Sequence, residues 1–308
     1  MSSDRFTRPP GLRPGDRIAV VAPASAFDRA SFEAGLAVLA ARYRPVFDPG
    51  CFARTRYLAG DDSRRLDELT AALADDSVKA IVAARGGYGT LRLLADLWPK
   101  LRAAAFPPKP VVGFSDLTAL HAVLQAAGWV SIHGPVVTQL GAQPPAVAER
   151  LVHLLESPVA PAPLRGTPLA AGVVEGPLLG GNLSLVTRLL GTRYLPDLDG
   201  AILLLEDVGE RPYRLDRLLT QLRQAGVFER IAGLVFGTFM SCPVVDGVSP
   251  LDVVRSCCAD LPFPVAFGLP AGHQGEGPGI ENLALPLGVP VALDTMRNRL
   301  VALEPAVA

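Results

Sequence analysis

Gly113-Phe114-Ser115-Asp116-Leu117 places a serine between a short apolar run and an apolar helical pattern. A serine at that junction stands on a sharp turn at the carboxyl end of a strand, where open α/β sheets bind ligands. The motif is close to the nucleophile elbow G-x-S-x-G, with Leu117 in place of the last glycine. The local sequence leaves two readings open: a nucleophile, or an ordinary helix N-cap, a common duty of serine. Arg85-Gly86-Gly87-Tyr88-Gly89 also follows an apolar run. It lacks the third glycine of a dinucleotide fingerprint and carries no Walker lysine. Two other readings fit it: a turn that presents N–H groups to an oxyanion, and a plain glycine turn.

Glu206-Asp207 ends another apolar run, Ala201–Leu205. A carboxylate there can orient a histidine, or pair with Arg211, Arg214 or Arg217 downstream. Asn182, after Gly180-Gly181, has the type and place of a helix cap. Of the four histidines, His121 falls inside an apolar helix, and His153 lies among polar neighbours. His133 precedes Gly134-Pro135 and can line a cleft. His273 lies in the glycine-rich stretch Ala271 to Gly279, whose backbone freedom suits a site loop. The histidines and the cysteines Cys51, Cys242, Cys257 and Cys258 show no metal-ligand spacing. No metal and no cofactor are expected.

The elements that must carry these residues alternate in the first half. Arg17–Ala22, Val78–Ala84 and Pro110–Phe114 read as buried strands. Helices start at Asp28, at Asp61-Asp62 and at Asp116, the last running to Ala127. Strands separated by helices of this length predict a flavodoxin- or Rossmann-like parallel α/β domain over 1–145. Residues 146–170 read as a linker, from Pro158, Pro161, Pro163 and Pro168 and a lack of periodicity. Over 171–308 strand patterns dominate: Val173–Leu179, Ala201–Leu205, Leu234–Thr238, Val265–Leu269, Asn282–Leu285, Val289–Leu293 and Leu300–Leu303. One helix starts near Asn182, and another carries Leu215, Leu218, Leu219 and Leu222. The second domain is therefore expected to be smaller, mixed and sheet-rich.

The 308 residues, 49% of them hydrophobic, suffice for one large or two ordinary domains. With 29 Lys+Arg against 30 Asp+Glu, there is no global basic field to draw in nucleic acid or an anionic membrane. Residues 117–148 contain no charged side chain except the titratable His121 and His133, but Gly128, Pro135 and Gln139 divide them into pieces too short to span a bilayer. No signal-peptide h-region follows the N-terminus. The expectation is a cytoplasmic protein with reduced cysteines.

Taken together, the segments resemble the LD-carboxypeptidase family of serine peptidases. The resemblance rests on Leu12 to Asp16, Val20 to Ser25, Arg85 to Gly89, Gly113 to Thr118, His133-Gly134-Pro135, Gly180 to Ser184, Leu205 to Glu210 and Gly268 to His273. It implies a Ser115–His273–Glu206 triad in a cleft between domains, with the N–H groups of Asp116 and of Gly86 or Gly87 as oxyanion donors. It further implies a homodimer and hydrolysis of the bond between an L-configured centre and a terminal D-alanine in murein tetrapeptide, within peptidoglycan recycling. The acyl residue would be meso-diaminopimelate or lysine. A related branch inactivates microcin C-type peptidyl nucleotides. A carboxypeptidase must also hold the free terminal carboxylate, and Arg85, Arg211 and Arg214 are the candidates for it. Two other classes fit less well. A small-ligand binding protein would need export, and a glutamine amidotransferase would need cysteine where Ser115 stands.

Overall fold

The computed structural model describes residues 5–274 and 281–308. The first half runs β1 (Arg17–Val21), α1 (Arg29–Ala40), β2 (Arg44–Val46), α2 (Asp62–Ala74), β3 (Val78–Ala83), α3 (Leu94–Arg102), β4 (Val111–Gly113), α4 (Thr118–Ala126) and β5 (Ser131–His133). α1 and α2 start where the acids predict, whereas the helix expected from Asp116 opens as a 3₁₀ turn and becomes α4 only at Thr118. Asp28 accepts the Ser31 N–H at 2.8 Å, and Asp61 accepts that of Arg64 at 2.8 Å. β1 to β5 pair in parallel, so all five carboxyl ends lie along one edge. Two helices follow, α5 (Val137–Leu140) and α6 (Pro145–Glu156).

The second half forms β6 (Leu164–Arg165), β7 (Thr167–Ala170), β8 (Val173–Asn182), α7 (Leu183–Leu189), β9 (Ile202–Val208), α8 (Pro212–Gln224), β10 (Gly233–Met240), α9 (Pro250–Cys258), β11 (Val265–Phe267), β12 (Leu285–Leu287), β13 (Pro290–Asp294) and β14 (Arg299–Ala302). Its eight-stranded sheet has the order β6-β14-β13-β8-β9-β10-β11-β7. The central strands β8 to β11 are parallel and their flanks antiparallel. The continuous apolar run Ile202–Leu205 is buried on both faces, as central parallel strands require.

Two expectations are corrected. The segment 146–170 is not a linker. α6 buries Val147, Leu151, Leu154 and Leu155, a stripe at helical spacing that the prolines after it obscured. β6 and β7, which follow after a short irregular stretch, are the outermost strands of the second sheet, where proline is tolerated because one side of the strand needs no donor. The strand expected at Asn282–Leu285 is β12, shifted to Leu285–Leu287 and placed in the other sheet. The six-stranded first sheet has the order β12-β5-β4-β3-β1-β2, with β12 antiparallel to β5. β5 would otherwise be an open edge, and the returning chain covers it. The chain end also returns, since the Ala308 N–H donates to Pro9 O at 2.9 Å. One apolar cluster accordingly includes Val20 and Ile132 of the first sheet and Leu203 and Leu234 of the second.

α1 and α5 pack backbone against backbone. A methyl group on Gly35 would fall 1.7 Å from Val137 O, and one on Gly141 would fall 2.6 Å from the Ala34 Cβ. Gly35→Ala is therefore expected to lower the urea midpoint by an amount worth about 1–3 kcal/mol, the usual cost of overpacking, with the far-ultraviolet dichroism retained. An unchanged midpoint would show that the two helices separate freely.

Candidate active site

The site forms where the carboxyl edge of the first sheet meets that of the second. Immediately after β4 the chain turns sharply. Phe114 is extended at φ −155°, and Ser115 then adopts φ +62°, a left-handed conformation that costs a non-glycine residue about 1–3 kcal/mol. A 3₁₀ turn over Ser115–Leu117 leads into α4. The serine does not cap the helix. Its Oγ lies 2.9 Å from His273 Nε2, 158 residues away. His273 Nδ1 in turn lies 2.6 Å from Glu206 Oε2, which also accepts the His273 backbone N–H at 3.0 Å. Ser115, His273 and Glu206 are thus one hydrogen-bonded chain, with the serine half-buried and the carboxylate wholly buried.

Close approach dictates the glycines around this chain. A methyl group on Gly86 would lie 2.9 Å from the Ser115 Cβ and 3.1 Å from its Oγ, so this turn can flank the serine only as glycine. Gly87, at φ +104°, packs on Ser25, whose Oγ accepts the Tyr88 N–H at 3.0 Å. On the opposite side, a methyl group on Gly272 would lie 2.6 Å from Glu206 Oε2. The Asp116 side chain is buried and accepts the Thr90 N–H at 2.8 Å, which ties the turn after Gly89 to the elbow.

Other polar groups fix the carboxylate and the imidazole. Asn182 does cap α7, accepting the Leu185 N–H at 3.2 Å. Its Nδ2 also donates to Glu206 Oε1 at 3.3 Å and to Asp207 Oδ1 at 3.1 Å. Its own N–H donates to Thr118 Oγ1 at 2.8 Å, joining the second sheet to the start of α4. Thr238 Oγ1 donates to His273 O at 2.6 Å, and the Gly272 N–H donates to Asn282 Oδ1 at 2.9 Å. Asn182 carried a signal in the sequence, an amide after paired glycines. Thr238 and Asn282 carried none.

Burial opposes charge on Glu206, but the His273 ring and backbone N–H outweigh it and hold its carboxyl below the usual range. Burial likewise pulls His273 down, yet Glu206 and, more weakly, Asp207 raise its pKa above the ordinary histidine value. Burial pushes Asp207 up. The other two buried histidines are neutral. His121, bonded to Ser131 Oγ and Gly113 O, is driven down to about 3 by burial, and His133 to about 4. His133 lies wholly buried against Phe114, which also meets the His273 ring at 4.9 Å between centroids. It therefore does not line an open cleft.

Of the arginines singled out from the sequence, Arg85 donates to Ala26 O at 2.6 Å, and Arg214 pairs with Glu210 at 2.9 Å. Arg211 stands exposed at the start of α8. Gly275 to Gly279 of the expected glycine loop lie outside the described residues. Among the described residues no cluster of His, Cys, Asp or Glu could hold a metal, and no helix is long and apolar enough to cross a membrane.

This arrangement can activate a hydroxyl: imidazole withdraws the proton, and a buried carboxylate fixes the imidazole tautomer and stabilises its charge. Gly86→Ala is expected to slow modification of Ser115 by a fluorophosphonate at least tenfold while leaving the thermal midpoint within a few degrees. Equal labelling rates would mean that the turn yields without disturbing the serine.

The sequence model of the LD-carboxypeptidase N-terminal domain matches residues 18–134, and that of the C-terminal domain matches residues 175–293. A putative carboxypeptidase of Synechocystis is 39% identical over 296 residues, spanning 94% of this chain and 95% of that protein. The murein tetrapeptide carboxypeptidase of Pseudomonas aeruginosa is 35% identical over 309 residues, spanning 92% and 94%. The crystal structure of muramoyltetrapeptide carboxypeptidase from Oxalobacter formigenes superposes with a TM-score of 0.81 at 30% identity, covering 94% of this chain and all of that one. The chain belongs to the LD-carboxypeptidase family of serine peptidases and is a hydrolase of the carboxypeptidase class.

Proposed function

We propose that this enzyme removes the terminal D-alanine from murein tetrapeptide in the cytoplasm, during peptidoglycan recycling, through an acyl-enzyme on Ser115. The observation that carries the reading is the continuous chain from Ser115 Oγ through His273 to Glu206. His273 Nε2 takes the hydroxyl proton as the oxygen attacks the carbonyl of the L-configured diaminopimelate or lysine residue. The same nitrogen then gives that proton to the departing amine of D-alanine. Glu206 holds Nδ1–H and stabilises the imidazolium. The N–H of Asp116 and one from Gly86 or Gly87 bind the oxyanion, each such donor being worth about 2.7–4 kcal/mol. Water, activated by His273 in turn, releases the tripeptide. The terminal carboxylate is held by a guanidinium, with Arg85, Arg211 and Arg214 as candidates. No metal takes part, and the protein works as a homodimer.

The test is incubation with L-Ala-γ-D-Glu-meso-diaminopimelate-D-Ala, followed by mass spectrometry for loss of one alanine. The C-terminal amide of the same peptide and a peptidyl nucleotide are run beside it. The expected result is rapid cleavage of the free acid, slow cleavage of the amide and none of the nucleotide. Ser115→Ala should fold normally and lose about 10⁴-fold or more in kcat, as triad removals do. Cleavage of the nucleotide alone would move the enzyme to the other branch, and a variant with a tenth of wild-type kcat would remove Ser115 from the mechanism.

The active form carries a neutral His273, whose pKa lies above the ordinary 6.5 because Glu206 and Asp207 favour its cation. The ratio kcat/KM should therefore rise with pH through an inflection above 6.5. Glu206→Gln removes the main stabiliser of that cation, so its acid limb should move to lower pH while the plateau falls. An inflection that stays in place in the variant would sever Glu206 from the titration of His273.

A further inference from the structure

We infer that Arg65 is a positioning residue of the reaction, which fixes the glycine turn Arg85 to Gly89 so that its N–H groups are held beside Ser115. The inference rests on the peptidase reading above, in which Gly86 or Gly87 supplies an oxyanion donor, and names what keeps that donor in place.

Arg65, on the first turn of α2, is the largest wholly buried side chain among the described residues. A buried guanidinium costs several kcal/mol unless its partners replace water, and apolar residues of similar volume often serve stability as well or better. Filling the core therefore does not call for arginine. What arginine adds is a planar set of donors that engages several groups at once. Its Nη2 donates to Asp62 Oδ1, and its Nη1 donates to Pro23 O. Asp62 is held in turn by Arg92, whose Nε lies 2.8 and 2.9 Å from the two carboxylate oxygens. The guanidinium also meets the turn itself. A methyl group on Gly89 would fall 2.5 Å from Arg65 Nη1, so the Gly89 backbone packs directly on the charged group.

These contacts reach both ends of the turn. Pro23 lies two residues before Ser25, whose N–H donates to Gly86 O at 3.3 Å and whose Oγ accepts the Tyr88 N–H at 3.0 Å. Gly89 is followed by Thr90, whose N–H donates to Asp116 Oδ2 at 2.8 Å. Arg65 thus backs the Gly86 end through Pro23 and Ser25, and the other end through Gly89 and Thr90. Both series finish at the serine. A methyl group on Gly86 would lie 3.1 Å from Ser115 Oγ, and Asp116 is the next residue in the chain. The turn needs such a brace. Three of its five residues are glycine, with Gly87 at φ +104° and Gly89 at φ +130°, and glycine has the most backbone freedom to lose. A donor helps an oxyanion only as far as it is already in place. Being wholly buried, the guanidinium meets no ligand itself and acts through the turn.

The test compares wild type with Arg65→Met and Arg65→Lys. Methionine fills the space without a donor. Lysine keeps the charge, but as a single point that cannot engage Pro23 and Asp62 through a fork. Two readouts are taken at a temperature where each protein is fully folded by circular dichroism. One is kcat and KM with the tetrapeptide. The other is labelling of Ser115 by a fluorophosphonate, resolved into reagent affinity and maximal rate. A misplaced oxyanion donor is missed in the transition state and not by bound substrate. Arg65→Met is therefore expected to lose about 10²-fold in kcat, the cost of a shift of about 1 Å that originates away from the chemistry, and Arg65→Lys at least about tenfold. KM and reagent affinity should stay unchanged, and the maximal labelling rate should fall in parallel with kcat. A purely structural role would lower the thermal midpoint and leave kcat of the folded enzyme as it is, and that result overturns the inference. So does a loss carried by KM alone, or wild-type kcat in Arg65→Lys, because the fork is then not what holds the turn. If Arg65→Met does not fold, Arg65→Lys decides. A wild-type enzyme that is labelled but leaves the tetrapeptide intact sinks the peptidase reading, and the labelling rates of the variants still decide this one.

Discussion

The site depends on a carboxylate buried where no water reaches it. Taking the Glu206 charge out of water costs several kcal/mol unless partners replace its hydration. Those partners come from distant segments: the His273 ring and N–H from the loop after β11, and the Asn182 amide from the end of β8. Each needs the others. The imidazole is oriented by the carboxylate it neutralises, and Gly272 leaves room for the two to meet. Removing the imidazole would leave an uncompensated charge in the core, so this hydrogen bond supports the loop conformation as well as any chemistry.

The Ser115 side of the site works by a different physical means. Little charge sits there. His121 and His133 are neutral by burial, and burial also disfavours charge on Asp116. What the first sheet supplies is shape: a serine forced to φ +62° and a glycine turn within van der Waals contact of it. The strain persists because the surroundings hold it from several sides. Leu117 packs in the core, Asp116 grips the Thr90 N–H, and the Gly134 N–H donates to Gly113 O just before the turn.

Much of this arrangement was written locally. Asp28 and Asp61 announced helix starts, and unbroken apolar runs announced central parallel strands, because caps and burial act over a few residues. Ser115 was different. A serine before a helix reads first as a cap, and the imidazole it hydrogen-bonds instead lies 158 residues on. Order and spacing of many weak motifs, rather than any one of them, pointed to Ser115, His273 and Glu206 as a set, and the three are joined by hydrogen bonds. β6 and β7 were unreadable for a related reason: short edge strands with proline look like linker until their partners are known. β12 was legible as a strand, but its sheet was not, since pairing with β5 depends on where the chain goes after His273. Thr238 and Asn282 gave no sign, because a side chain that braces a distant loop needs no special local sequence.

The two contributions, charge from the second half and shape from the first, place a demand on the fold between them. A hydrogen bond of 2.9 Å from Ser115 to His273 tolerates little relative movement of the two sheets. The chain meets this by crossing back. β12 leaves the second half to complete the first sheet beside β5, directly after the loop that delivers His273. The Asn182 N–H binds Thr118 at the head of α4, three residues beyond the serine. The last residues return to the start of the chain at Pro9. These ties come from three separate parts of the second half, and one of them runs through the same asparagine that donates to Glu206. Rigid connection of the sheets and orientation of the carboxylate are therefore one structural property: a change that loosens the packing of β8 on α4 must also disturb the pairing of Glu206 with His273.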